Sequence, residues 1–298
     1  MEENSIQIKI AETKFSPIKF GIISIILVML FYQFAGMVIY YFISLVGPSS
    51  TFNLRISALA GQLLFMLLPT LFLLKWQHGS ILNGLPLRIP KLSEILTTIL
   101  IIILLQFVLE GFIYFQMKLP FPQFVKEVLD QLDQLFELVY RQLIIANSVA
   151  ELSFVLLVVA IVPGICEEVL FRGLFMKNLL IVKTPLSSIA ISGIIFALIH
   201  FNPIALIPLI VLGMYLGFLV YRTQSIFIPI IAHITNNAFS TIKVFFNPDL
   251  IKQDSTTLSL ATESEINLII VMVVVSIIIY FLHKYFKQIT ESIQEKIV

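Results

Sequence analysis

Long apolar runs constrain the fold of this chain more than any other feature. A helix of about 20 apolar residues crosses a bilayer. Hydrophobic residues form 58% of the 298 residues and charged residues 12%, against about one half and one quarter in soluble proteins. The sequence therefore predicts an all-α fold, a polytopic membrane helical bundle of about eight transmembrane helices. The predicted spans cover residues 20–46, 56–75, 95–117, 150–172, 186–201, 204–221, 226–246 and 266–283.

Basic residues predict the orientation of these spans, because short cytoplasmic loops collect Lys and Arg. If the N-terminus is inside, most basic residues fall on the inner side, which favours this orientation. Because the number of predicted spans is even, the C-terminus is then also in the cytoplasm. The Ile-, Phe- and Lys-rich composition suggests a bacterial cell membrane. No basic cluster of the kind that nucleic acid needs is present. The inner set is Lys9, Lys14, Lys19, Lys75, Arg88, Lys91, Arg172, Lys177, Lys183, Arg222, Lys284, Lys287 and Lys296; the outer set is Arg55, Lys118, Lys126, Arg141, Lys243 and Lys252.

Two features of the first half depart from simple spans. Residues 121–147 alternate apolar and charged positions at helical spacing, which predicts an amphipathic helix along the outer interface. It either covers the bundle or gates access for a substrate. Glu110 is a lone acid in the third span, with either a structural role or a contribution to the site. A polar outer loop is expected at residues 247–265.

Three polar fragments interrupt the apolar runs of the second half. Intramembrane charge is costly and marks a candidate functional site. Within each fragment the spacing is i,i+4, so that paired side chains share a helical face. If the fourth and fifth spans form a hairpin that turns at residues 183–185, Glu167 lies level with His200. The fragments contain Glu167, Glu168 and Arg172; Phe196 and His200; and His233 and Asn237.

These residue types predict a hydrolase. Glu167, assisted by His200, would deprotonate a water that attacks a peptide carbonyl. His233 and Asn237 would hydrogen-bond the developing oxyanion. Cys166 has no partner on its helical face, so no cysteine nucleophile is expected.

Other residues of the fragments have supporting roles. Glu168 lies i,i+4 from Arg172 and points away from Glu167, so its main expected role is an ion pair. Phe196 forms an aromatic layer beside the site with Phe171. Pro163, next to Gly164, removes a backbone hydrogen bond and should open the helix to water.

Three other interpretations remain open at this stage. Intramembrane His and Asn side chains often serve only interhelical hydrogen bonding. The same cavity would also suit a non-catalytic immunity or scaffold protein that binds a membrane peptide. A proton-coupled transporter is a weaker alternative, because no paired inverted repeat is visible.

The three motifs, in this order on consecutive helices, resemble those of the CPBP family. That family contains the type II CAAX-prenyl endopeptidases and bacterial bacteriocin-processing or self-immunity relatives, and the resemblance covers residues 160–240. It implies an eight-helix intramembrane endopeptidase with a water-filled cavity and a membrane peptide or protein as substrate. Glu167 and His200 would activate water while His233 and Asn237 stabilise the oxyanion.

The family has also been described as metal-dependent. Glu167, His200 and His233 could supply three ligands to zinc, but they lack the HExxH arrangement. A metal-free mechanism without a cofactor is therefore the preferred expectation. On this basis the chain divides into N-terminal membrane helices with the amphipathic helix (1–149), a catalytic core (150–246), and an outer loop, last span and cytoplasmic tail (247–298), all within one membrane domain.

Overall fold

A computed structural model describes residues 13–46, 50–248 and 265–295. These residues form helices and no β-strand, apart from one isolated bridge between Leu87 and Ser225. The predicted all-α class is confirmed. The predicted 247–265 loop lies almost wholly outside the described residues, as do Lys9, Lys252 and Lys296. The longer helices are α1 (Pro17–Val46), α2 (Thr51–His78), α3 (Leu92–Met117), α4 (Gln123–Ile144), α5 (Val149–Val182), α6 (Pro185–Leu198), α7 (Leu206–Thr223), α8 (Phe227–Phe246) and α9 (Glu265–Ile289).

Six of the described helices are long and apolar enough to cross a membrane: α1, α2, α3, α5, α7 and α9. Together they indicate an integral, multi-pass membrane protein. Length and composition do not support eight spans. The fifth predicted span is the 14-residue α6, too short for the hydrocarbon core, and the seventh is α8, which carries His233, Asn236 and Asn237.

Large apolar side chains cover the outside of the bundle. Phe31 and Phe34 of α1 are 60% and 62% exposed, and Tyr280 and Phe281 of α9 are 63% and 61% exposed. A patch of this extent is unusual on a soluble monomer. These faces of α1 and α9 are suited to contact with lipid.

Helix α5 lies at the centre of the bundle and packs against α2, α6 and α8. Its 34 residues contain two π-helical stretches, Leu157–Ile161 and Val169–Met176, on either side of the segment Val162–Glu168. The first stretch, just before Pro163, is the irregularity expected there, because proline supplies no N–H for an α-helical bond. Such π-helical turns often occur at functional sites, and here they flank the two adjacent glutamates.

Glycines allow the site-bearing helices to approach closely. A Cβ at Gly193 of α6 would lie 2.6 Å from the Met214 nitrogen of α7. A Cβ at Gly164 of α5 would lie 2.7 Å from Cγ1 of Ile234 on α8. A Cβ at either position would come closer than van der Waals contact allows. The absence of a side chain at these glycines therefore lets α6 approach α7, and α5 approach α8, closely.

The first half of the chain is joined to the core by ion pairs. Arg55 of α2 is 3% exposed; it pairs with Glu151 of α5 at 2.7 Å and donates to the carbonyls of Leu143 and Ile145. The helix predicted over 121–147 is confirmed as α4, whose C-terminal end is thereby held against α2 and α5; its place at the outer interface stays a prediction. Glu110 of α3 accepts from Nζ of Lys243 on α8 at 2.6 and 2.7 Å, and its role, structural or in the site, stays a prediction.

Candidate active site

Helices α5, α6 and α8 bring the three sequence motifs to one place. Oε2 of Glu167 lies 3.7 Å from Nε2 of His200 and 3.9 Å from Nε2 of His233. The side chains of Glu167, His200 and His233 are 14%, 32% and 4% exposed. The site is thus nearly closed on the α8 side and open at His200, where a substrate or water can enter.

The contacts predicted across the α5–α6 hairpin are present. Glu167 faces His200 at the distance given above, and the rings of Phe171 and Phe196 lie 5.2 Å apart, edge to face. His200 comes just after the end of α6, and its ring lies 4.5 Å from that of Phe196. The aromatic layer therefore lies directly beside the polar groups.

Hydrogen bonds at Nδ1 fix the orientation of both imidazoles. Nδ1 of His200 lies 2.6 Å from the Phe196 carbonyl oxygen. A carbonyl oxygen can only accept, so this nitrogen carries the proton. Nδ1 of His233 lies 2.9 Å from Oε1 of Glu168, the carboxylate that also pairs with Arg172. In both rings the other nitrogen, Nε2, is thereby turned toward Glu167.

Glu168 does more than the ion pair expected from the sequence. Its Oε1 accepts from Nη1 of Arg172 at 2.7 Å and also binds Nδ1 of His233. The Glu168 and Arg172 side chains are fully buried. Because the bond to His233 joins α5 to α8, which are far apart in sequence, spacing within one helix could not reveal it.

Arg172 is held by further contacts in this buried position. Its Nη2 donates to the Gly213 carbonyl of α7 at 2.8 Å, and its guanidinium lies 4.6 Å from the centroid of the Phe196 ring. The first contact depends on the close approach of α6 and α7. The second is a cation–π geometry, so Phe196 supports the charged cluster as well as the aromatic layer.

Asn237 lies at the end of an amide chain that the motifs did not indicate. Its Nδ2 donates to the Val159 carbonyl at 3.1 Å, and its Oδ1 accepts from Nδ2 of Asn236 at 3.1 Å. Asn236 in turn accepts at Oδ1 from Nε2 of Gln106, at 3.0 Å. In this series of amide hydrogen bonds Oδ1 of Asn237 is an acceptor and one of its two Nδ2 hydrogens is donated to Val159. The other Nδ2 hydrogen is left for another partner. The sequence signal for Gln106 is a glutamine in a largely apolar predicted span.

Two buried carboxylate oxygens in the site have no hydrogen-bond partner among the described residues, Oε2 of Glu167 and Oε2 of Glu168, and the first is the one that the imidazoles face. Both Nε2 atoms face it from beyond hydrogen-bonding distance. Polar groups more than 3.5 Å apart can be joined through a water. A carboxylate with two imidazoles around one point can polarise such a water.

Metal ligation is a separate question for the same three side chains. In residues 13–46, 50–248 and 265–295, no group of three or more His, Cys, Asp or Glu is arranged to hold a metal ion. Zinc at Glu167, His200 and His233 stays a prediction, and so does the metal-free alternative.

The site lies in a segment that is similar to a known family. Residues 149–239 match the family model described as Type II CAAX prenyl endopeptidase Rce1-like. This segment is an Rce1-like domain of that peptidase family. All seven motif residues lie inside the Rce1-like domain, whereas α1–α4 and α9 lie outside it. No curated protein and no solved structure matches the sequence.

Proposed function

We propose that this protein is an intramembrane endopeptidase that hydrolyses a peptide bond of a membrane-associated peptide or protein. The observation that carries the proposal is the convergence of two imidazole Nε2 atoms on the unpartnered Oε2 of Glu167. Membership of the 149–239 segment in a peptidase family supports the same reaction class.

In the proposed mechanism Glu167 is the general base. A water between Glu167 and His200 gives its proton to the carboxylate while its oxygen attacks the scissile carbonyl carbon. The proton then passes from Glu167 to the leaving amine as the C–N bond breaks. His200, held by its bond to the Phe196 carbonyl, orients the water with Nε2.

His233 and Asn237 would stabilise the oxyanion of the tetrahedral intermediate. The bond between Nδ1 of His233 and Glu168 holds the ring so that Nε2 faces the site, where it would bind the oxyanion. The Nδ2 hydrogen of Asn237 that the Val159 carbonyl does not use supplies a second donor. Donors fixed in a water-poor site stabilise such charge strongly.

We further propose that α6 and α8 also lie within the bilayer, giving eight membrane helices with both termini in the cytoplasm. Polar residues are tolerated in membrane helices where they face the bundle interior. The short α6 packs against α7 along its length, through Gly193 and Gly213. A helix that is covered by another helix in this way need not span the full thickness of the hydrocarbon core.

Proteomics of the membrane fraction tests this function without knowledge of the substrate. We expect Glu167→Gln to abolish cleavage, so that intact substrates accumulate and their cleaved fragments disappear. The matched control is Glu127→Gln, an exposed acid on α4 outside the motifs, which should leave the fragments unchanged. Wild-type fragments persisting in the Glu167→Gln strain, at equal protein level, would refute the proposal. A parallel chelator treatment separates the zinc and metal-free versions.

A further inference from the structure

Helix α9, which lies outside the Rce1-like domain, carries two adjoining cavities. One is an apolar groove of about 580 Å³ and the other a polar cavity of about 410 Å³. Tyr280 lines both, so the two meet at this residue. The groove is lined by Phe115, Ile269, Met272, Val273, Ser276, Ile277 and Tyr280.

The polar cavity is strongly basic. Arg222, Lys284 and Lys287 line it together with His283 and Gln288, against one carboxylate, Glu291. The residues from α9 recur at intervals of three and four, so they form a single helical face. Among the described residues neither lysine forms an ion pair. Among the described lining residues three basic side chains outnumber one carboxylate, so the cavity has an excess of positive charge.

Arg222 is held in position for a ligand. Its Nε donates to Oγ1 of Thr290 at 2.9 Å and its Nη2 to the Lys287 carbonyl at 2.6 Å. These bonds fix the guanidinium at the junction of α7 and α9. No protein acceptor among the described residues takes the hydrogens of Nη1, so they are available for an anion. A pre-ordered arginine loses little conformational entropy on binding phosphate.

The dimensions of the groove indicate what fills it. Ile269 and Tyr280 are eleven residues apart, or about 16 Å along the helix axis. This is about half of a hydrocarbon core of about 30 Å, the depth of one leaflet. At its basic end α9 exposes Tyr280 and Tyr285, residues typical of the membrane–water boundary.

We propose that α9 holds one anionic phospholipid, with an acyl chain in the groove from Ile269 to Tyr280 and its phosphate bound by Arg222, Lys284 and Lys287. Basic pockets between helices at the cytoplasmic boundary are suited to such headgroups. The apolar groove favours a lipid over free phosphate, because phosphate alone leaves the groove unused. The site does not depend on peptidase activity.

The test is a lipid titration of the purified full-length protein, followed by native mass spectrometry. We expect one phosphatidylglycerol to bind tightly, with phosphatidylcholine of the same chains much weaker. Each lysine near an anionic group contributes about a fivefold factor in affinity, so Lys284→Gln/Lys287→Gln should weaken binding about 25-fold. Lys75→Gln/Lys183→Gln is the charge-matched control, because both lysines are exposed and lie outside the cavity.

A second pair of variants tests the groove. Val273→Phe should weaken binding of the long-chain lipid, because Val273 lines the groove, while Ile270→Phe should not, because Ile270 is exposed elsewhere on α9. Equal weakening by both lysine pairs would refute a specific site. Inorganic phosphate that competes at the same concentration as the lipid, or an unaltered affinity of Val273→Phe, would refute the lipid as occupant.

Discussion

The buried charges at the site depend on one another more closely than a list of motif residues suggests. Glu168 neutralises Arg172 and orients His233, while Arg172 also contacts α7 through the Gly213 carbonyl. Removing one partner of a buried ion pair leaves the other uncompensated, which costs about 3–5 kcal/mol. Glu168 is therefore a positioning residue for His233 and a structural partner of Arg172.

A double-mutant cycle tests this coupling. Glu168→Ala and Arg172→Met should each lower the free energy of unfolding by about 3–5 kcal/mol. Because the double variant leaves no unpaired charge, its loss should be smaller than the sum of the two single losses. Unfolding of the purified protein in detergent, followed by circular dichroism, provides the measurement. Strictly additive losses would contradict the coupling.

The sequence predicted one class of contact at this scale and missed another. Glu167 with His200, and Phe171 with Phe196, could be predicted because a hairpin turn fixes which residues lie level. The bonds from Glu168 to His233 and from Gln106 to Asn236 join helices whose relative rotation depends on packing of the whole bundle. No spacing within one helix carries that information.

At the scale of the elements, helix spacing is set by glycines. Gly193 packs against the α7 backbone, where a Cβ would lie 2.6 Å from the Met214 nitrogen. At Gly36 in α1, by contrast, nothing lies within 4 Å of the position that a Cβ would take. The α6–α7 contact also positions the Gly213 carbonyl that binds Arg172. The apolar runs predicted the helices, but their closest contacts required the three-dimensional packing.

The same substitution at these two glycines should have opposite effects. Gly36→Ala should raise the free energy of unfolding by up to about 1 kcal/mol, because alanine favours helix over glycine. Gly193→Ala should lower it by about 1–3 kcal/mol, because α6 and α7 must move apart. Thermal unfolding of both variants in one detergent gives the comparison. A Gly193→Ala protein as stable as wild type would show that the two helices separate without cost.

For the whole molecule, the division between apolar and polar helices reflects position in the bundle. The outer helices α1 and α9 are apolar around much of their surface and were easily predicted as spans. Helices α6 and α8 are shorter or more polar because they bear the site and pack against other helices. A count of membrane-spanning helices by length and hydropathy therefore gives six among the described residues. The predicted orientation of the bundle rests instead on the distribution of basic residues.

That orientation predicts which surfaces a membrane-impermeant thiol reagent reaches. Cys166 is the only cysteine and is fully buried, so the folded wild-type protein should stay unlabelled. Gln134→Cys, on the exposed face of α4, should be labelled by an impermeant maleimide in intact cells. Lys91→Cys, exposed before α3, should be labelled only after permeabilisation. Labelling in the reverse order would invert the topology and move the basic cavity of α9 to the outer leaflet.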